Sequence, residues 1–156
     1  KIESELEVLE DFSELPQEIQ RLMEAAFEAR DSAYAPYSEF HVGAALLLSN
    51  GKVIKGSNQE NAAYPSGLCA ERTAIYYAGA NFPDETLEVM AISATAKHKP
   101  TTTPIPPCGA CRQAIAEYEV KQKQPVAIYF MGASGKIFKS DSLSNLLPFL
   151  FTQEYL

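Results

Sequence analysis

Basic residues are scarce in this chain, and they nowhere form a cluster. The 156 residues include 13 Lys or Arg and 20 Asp or Glu, which gives a formal charge of −7. Proteins that bind long nucleic acids usually carry basic patches, because phosphate contacts supply much of their affinity. The acidic balance therefore argues against a nucleic-acid polymer as the partner.

Long apolar runs are also absent. No stretch approaches the roughly 20 apolar residues that a membrane-spanning helix needs, so no membrane partner is expected. Residues 1–11 are acidic and lack the apolar centre of a secretory signal. The sequence contains no internal repeats and no low-complexity segment.

Cysteine occurs only three times. An odd number fits a disulfide framework poorly and fits three thiolate metal ligands well. Thiolates persist in a reducing compartment, so a cytoplasmic location is expected. Neither His41 nor His98 lies beside a cysteine at the spacing of a zinc finger.

The remaining composition predicts one folded domain, because 46% of the residues are hydrophobic and can form a substantial core. We expect residues 1–15 to form a charged leader without a core pattern, and residues 16–156 to form the domain. The pattern predicts helices at about 16–31, 69–80 and 108–120, and a short helix with an apolar tail at 142–151. It predicts strands at about 40–48, 53–57, 87–96, 126–131 and 136–138. Strands alternating with helices indicate an α/β sandwich whose helices cover the sheet.

The strongest local signal combines all three cysteines with one glutamate. Cys108 and Cys111 are three positions apart at a predicted helix start, and Cys69 lies at another. Helix N-termini favour thiolates, and three sulfurs leave one tetrahedral position open, as in catalytic zinc sites. Glu71 follows Cys69 closely enough to act as a proton carrier without being a ligand. The cysteines alone would also fit a structural zinc site or a redox pair.

Three thiolates overcompensate the charge of a divalent ion, so a positive group is expected nearby. We hypothesise that Arg72 donates hydrogen bonds to ligand sulfurs and restores the acidity of the bound water. Arg112 follows Cys111 and could equally be a solvated charge on the helix surface.

From about residue 33 to residue 151, the chain resembles the cytidine deaminases, specifically their small homotetrameric, zinc-dependent class. The segments that carry this resemblance are Ala33–Ser38 with Phe40–Leu46, Asn58–Tyr64, Cys69–Arg72, Pro107–Gln113 and Leu146–Phe151. The resemblance implies a three-layer α/β/α sandwich with a mixed five-stranded sheet and one Zn²⁺ per subunit. It also implies hydrolytic deamination of cytidine and deoxycytidine to uridine and deoxyuridine in pyrimidine salvage.

The same resemblance gives roles to individual residues. Glu71 would be the general acid/base, which moves protons between water, ring N3 and the leaving amine. Asn58 and Glu60 would bind the ribose, and Phe40 would stack on the pyrimidine. Tyr64 and Phe151 match positions that reach a neighbouring subunit's pocket, which implies a homotetramer with shared active sites.

The sequence leaves three other functions open. A related deaminase acting on another aminopyrimidine nucleoside, such as blasticidin S, would share the cysteine and glutamate motifs. A catalytically silent zinc-binding protein is a second alternative, although Glu71 counts against it. An RNA- or DNA-editing deaminase is the third, and both Cys69 as the first ligand and the acidic charge count against it.

Overall fold

The computed structural model describes the whole chain, from Lys1 to Leu156. Its strands are β1 (Glu7–Leu9), β2 (Phe40–Leu48), β3 (Val53–Ser57), β4 (Leu87–Ala96), β5 (Ala127–Met131) and β6 (Ile137–Ser140). Its helices are α1 (Gln17–Asp31), α2 (Ala70–Asn81), α3 (Gly109–Gln122) and the short α4 (Leu143–Leu146). No helix in the structure combines the length and the apolar character that crossing a lipid bilayer requires.

All six strands belong to one sheet, in the order β1-β6-β5-β4-β2-β3. Only β4 and β5 run parallel, and every other neighbouring pair is antiparallel. A parallel pair needs a long crossover connection, and α3 lies in the segment that joins β4 to β5. The sheet is therefore mixed, as expected.

Two hydrophobic cores lie on opposite faces of this sheet. Alternate residues of β2 belong to different cores, with Leu46 in the one that includes α2 and α3, and Leu47 in the one that includes α1. Because β2 is covered on both faces, its sequence is apolar almost throughout rather than alternating. The three-layer α/β/α sandwich predicted from the sequence is confirmed.

The start of α2 packs closely against the sheet. A Cβ atom added to Gly56 of β3 would lie 2.5 Å from the carbonyl oxygen of Ala70, the first residue of α2. Only glycine permits this approach of two backbones. The start of α2, and with it Cys69, is thereby fixed against the edge of the sheet.

The sheet has six strands, whereas five were expected. The additional strand is β1, in the segment for which the sequence suggested no core pattern, and that expectation is wrong. Strand β1 pairs with β6, with Glu7 opposite Lys139, and both Leu9 and Leu15 are buried. The segment is short and acidic, and its partner lies about 130 residues away in the chain, so no local pattern indicated the pairing.

The C-terminal region forms a short helix and an apolar tail, as expected. Helix α4 ends at Leu146, before Pro148, a residue that cannot donate the backbone hydrogen bond of a continuing helix. Beyond it, Phe149 and Phe151 expose 82% and 57% of their surface. This tail is therefore an exposed apolar surface.

Candidate active site

The three cysteines come together at the start of two helices. Cys69 is the N-cap of α2, Cys108 is the N-cap of α3, and Cys111 lies in the first turn of α3. The Sγ atoms of Cys69 and Cys108 are 3.9 Å apart, and those of Cys108 and Cys111 are 3.5 Å apart. All three sulfur atoms lie within 4.8 Å of one another.

These distances fit a zinc site. Four tetrahedral ligands at about 2.3 Å from zinc would lie about 3.8 Å from one another. The Cys69–Cys108 and Cys108–Cys111 sulfur distances bracket that value. No His, Asp or Glu joins the three cysteines in this group. The donor set therefore leaves the fourth position to a small molecule, as in catalytic rather than structural zinc sites.

The surroundings favour a thiolate at Cys69. A hydrogen bond from the Cys111 thiol and a further one from Arg72 lower the pKa of Cys69 to about 5. In return, the pKa of Cys111 is raised, because the Cys111 proton is shared with the Cys69 thiolate. The N-termini of α2 and α3 also favour negative charge at this point. Arrangements of this kind predispose sulfur to bind a metal.

Arg72 lies against this cluster, as the charge argument suggested. Its Nη2 donates to the Sγ of Cys69 at 3.2 Å, and this bond is the main reason that the pKa of Arg72 is raised. The Nε of Arg72 is buried and has no hydrogen-bond partner. A buried donor without a partner is unusual, and it adds to the positive potential beside the sulfurs.

Glu71 is buried in the first turn of α2, with 5% of its surface exposed. Burial, the main cause, and the nearby Cys69 charge together raise the pKa of Glu71 to about 7. A carboxyl group with a pKa near neutrality can both accept and donate a proton under physiological conditions. The geometry therefore gives the cysteine cluster a neighbouring acid/base group.

A cavity of about 300 Å³ connects the cysteine cluster with the segment expected to bind the sugar. Its lining includes Asn58, Glu60, Tyr64, Cys69 and Arg72. Five of the residues singled out from the sequence thus line one cavity within a single chain. Of the cysteines only Cys69 lines it, and Phe40, Glu71 and Phe151 do not.

The amide of Asn58 is already engaged with the backbone at the start of β2. Its Oδ1 accepts from the Val42 N–H at 2.9 Å, and its Nδ2 donates to the Phe40 carbonyl at 2.8 Å. One N–H of the amide remains available to a ligand, since an NH₂ group has two donors. Asn58 therefore also holds Phe40 in place, a role that the sequence did not indicate.

One carboxylate oxygen of Glu60 is likewise used within the protein. Oε1 accepts from the N–H groups of Tyr37 and Ser38 and from the Ser38 hydroxyl, each at 3.2 Å. The other carboxylate oxygen, Oε2, accepts no hydrogen bond from the protein. The carboxylate is thus fixed in orientation by one oxygen and presents the other.

The two residues expected to reach a neighbouring subunit are exposed. Tyr64 exposes 77% of its surface and meets the Tyr37 ring edge-on at 6.1 Å between centroids. The Phe151 ring stacks on Tyr155 with its centroid 5.7 Å away. Neither aromatic side chain is buried within its own chain.

Sequence reasoning missed the role of Gln113 and left that of Arg112 open, and both fix the surroundings of the site. Gln113 donates through Nε2 to the Phe151 carbonyl at 2.9 Å. Arg112 donates to the Pro107 carbonyl at 2.9 Å and to the Leu146 carbonyl at 3.2 Å, so it is not simply a solvated charge. In the sequence, only their position directly after Cys111 pointed to a role at the site. Their carbonyl partners in the C-terminal tail become apparent only in the folded chain.

Comparison with known proteins identifies the family. The family model described as "Cytidine and deoxycytidylate deaminase zinc-binding region" matches residues 16–126. The chain belongs to the cytidine and deoxycytidylate deaminase family. The three cysteines and Glu71 lie inside the matched region, and Zn²⁺ is the metal that this region binds in the family.

Individual relatives agree with this family membership. The chain is 44% identical over 135 residues to a cytidine deaminase from Halalkalibacterium halodurans. The aligned region covers 86% of the chain and 95% of that relative. It is 40% identical over 137 residues to a cytidine deaminase from Sporosarcina psychrophila, covering 88% and 93% of the two chains. The crystal structure of cytidine deaminase from Burkholderia pseudomallei superposes with a TM-score of 0.73 at 38% identity, covering 88% of this chain and all of that one.

Proposed function

We propose that this deaminase hydrolyses cytidine and deoxycytidine to uridine and deoxyuridine, with release of ammonia. The observation that carries the proposal is the buried Glu71 carboxyl beside three convergent cysteine sulfurs. The cavity lined by Asn58 and Glu60 reaches Cys69, one of these cysteines, and provides polar groups for a sugar. A nucleobase attached to a sugar held there would reach the reactive groups.

Cys69, Cys108 and Cys111 would hold one zinc ion per subunit. Zinc bound in an open, three-ligand site supplies Lewis-acid chemistry that lowers the pKa of water to about 7. Arg72 offsets part of the negative charge of the three thiolates through its bond to Cys69. Without this offset, the three thiolates would weaken the Lewis acidity of the bound metal.

Glu71 carries the protons of the reaction. It takes a proton from the water that adds to C4 of cytosine and delivers it to ring N3. It then moves the remaining hydroxyl proton from the oxygen on C4 to the exocyclic amine. The bond between C4 and that nitrogen breaks, ammonia leaves, and C4 becomes the carbonyl carbon of uracil.

Glu60 favours a free nucleoside over a nucleotide. Its Oε1 is held by the 37–38 backbone, so Oε2 is directed to a ligand with little freedom to turn away. A carboxylate can accept hydrogen bonds from sugar hydroxyls, whereas it repels a nearby phosphate. This matters because the family model includes deaminases of a nucleotide as well as of a nucleoside.

Self-association to a homotetramer with shared active sites belongs to the same proposal. Phe40 would stack on the pyrimidine, while Tyr64 and Phe151 would complete the pocket of a neighbouring subunit. The large exposure of both aromatic residues supports this arrangement. The enzyme would act in the cytoplasm, where cysteines stay reduced, as part of pyrimidine salvage.

The substrate is tested by incubating the zinc-loaded protein with cytidine, deoxycytidine and deoxycytidine 5′-monophosphate, and by measuring ammonia release. We expect turnover of both nucleosides and much slower turnover of the monophosphate. Glu60→Gln should reduce the difference between nucleoside and monophosphate turnover, because it removes the negative charge and keeps an acceptor oxygen. Preferred turnover of the monophosphate by the wild-type protein would contradict the proposal.

A further inference from the structure

A second cavity lies beneath α1, on the face of the sheet opposite to Cys69 and Glu71. It has a volume of about 300 Å³ and lies between the end of α1, the start of β2, the end of β4 and the segment that follows. Arg30, Asp31, His41, Thr95 and Lys97 are among its lining residues. It shares no lining residue with the cavity at the cysteine cluster.

The Arg30 guanidinium is held in this cavity by an aromatic ring and a hydroxyl group. Its guanidinium packs over the Phe27 ring at 5.3 Å from the centroid, and its Nη1 donates to the Ser93 hydroxyl at 2.6 Å. Ser93 is fully buried and donates in turn to the Gly132 carbonyl at 2.8 Å. Arg30 is thus held by a neutral hydroxyl and forms no ion pair, while its remaining N–H groups have no partner in the protein.

The acidic residues nearby do not neutralise Arg30. Glu39 pairs with Lys97 at 3.5 Å and with His98 at 3.0 Å. Asp31 lines the same cavity, but its side chain is exposed and forms no ion pair. Burial lowers the pKa of Arg30, and the Asp31 charge offsets this effect only in part. Arg30 therefore keeps a positive charge without an ion pair and free N–H groups facing the cavity, from which an anionic ligand can accept hydrogen bonds.

We propose that this second cavity is a binding site for a small oxyanion such as inorganic phosphate, held by Arg30. The planar fork of a guanidinium matches pairs of oxygen atoms in phosphate. His41 lies opposite Thr95 in the sheet and offers a further polar group to the ligand, whereas the Thr95 hydroxyl is already bonded to the backbone of Ala96 and Thr101. Lys97 lies at the rim of the cavity, where its exposed ammonium pairs with Glu39 and can also face the ligand.

The test is a calorimetric titration of inorganic phosphate into the zinc-loaded protein, with chloride used to hold the ionic strength constant. Arg30→Gln keeps a side-chain donor for Ser93 but removes the charge, and we expect it to weaken binding about tenfold or more. Lys97→Gln should weaken binding by a few-fold. Arg21→Gln is the matched control, because Arg21 is an exposed arginine of the same helix, and it should bind like wild type.

Three outcomes would overturn the proposal. They are the absence of phosphate binding by the wild-type protein, unchanged affinity in Arg30→Gln, and an equal loss in Arg21→Gln. Phosphate that bound at the metal site instead would leave the affinity of Arg30→Gln unchanged. If Arg30→Gln failed to fold, Lys97→Gln would decide: weaker binding supports the site, and unchanged binding contradicts it.

Discussion

The Nη2 atom of Arg72 lies 3.2 Å from the Sγ atom of Cys69, one helical turn away on α2. This bond places a permanent positive charge against a metal-binding sulfur and contributes to the low pKa of Cys69. The electrostatic balance of the site therefore depends on a residue that is not itself a metal ligand.

Replacing Arg72 with Gln should raise the pKa of Cys69, because a charged hydrogen-bond donor is lost. Zinc competes with protons for the sulfur, so the midpoint of zinc binding should move to higher pH. We also expect zinc affinity to fall by about tenfold, a typical effect of removing a group that supports a ligand. Competition with a chelator across a pH series measures both quantities. Arg21→Gln serves as the control, and identical curves for Arg72→Gln and wild type would contradict this role.

Leu9 offers a test of the additional strand β1. It is buried in the core beneath α1, whereas the adjacent Val8 of the same strand is 48% exposed. Leu9→Ala should lower the free energy of unfolding by about 2–5 kcal/mol, the usual range for such a truncation in a core. Val8→Ala should change it far less. Urea denaturation compares the two variants, and equal small effects would show that β1 contributes little to stability.

The buried Glu119 carboxylate connects α3 to two later elements. It accepts from the backbone N–H of Val126 at 2.9 Å, and from those of Leu143 at 2.7 Å and Ser144 at 2.9 Å. Glu119→Gln would place an amide NH₂ among these donors and should destabilise the fold by roughly 2–4 kcal/mol. Glu117→Gln, on the exposed side of the same helix, is the control. Equal denaturation curves for the two variants would refute the assignment.

Shared active sites can be tested by mixing two inactive variants. Glu71→Gln lacks the proton carrier, and Phe151→Ala lacks the aromatic side chain that would enter a neighbour's pocket. If the sites are shared, mixed oligomers contain some pockets with a native Glu71 from one subunit and a native Phe151 from the other. Co-expression of the two variants should then recover activity above that of either alone. Activity no higher than the average of the separate variants would indicate that each site is complete within one chain.

The sequence predicted most of the fold and the cysteine cluster, because those signals are local. The apolar residues of β2 and the position of Glu71 relative to Cys69 can be read within a few residues. Pairings between distant segments cannot be read in this way. The pairing of Glu7 with Lys139 and the hydrogen bonds from Asn58 to the start of β2 depend on the register of the folded sheet. Arg112 was ambiguous for the same reason, since its partner Leu146 lies far along the chain.

Ammonia release from cytidine by wild-type and Glu71→Gln proteins of equal zinc content shows whether the protein is a cytidine deaminase that depends on this carboxyl group. The loss of the cytosine absorbance band provides a second readout of the same reaction. Because Glu71 is proposed to move protons and lies outside the group of metal-binding cysteines, the variant should keep its zinc while turnover falls by about 10²- to 10⁴-fold. Near-normal turnover by zinc-loaded Glu71→Gln would contradict the account, as would a wild-type protein that is folded, zinc-loaded and inactive towards cytidine.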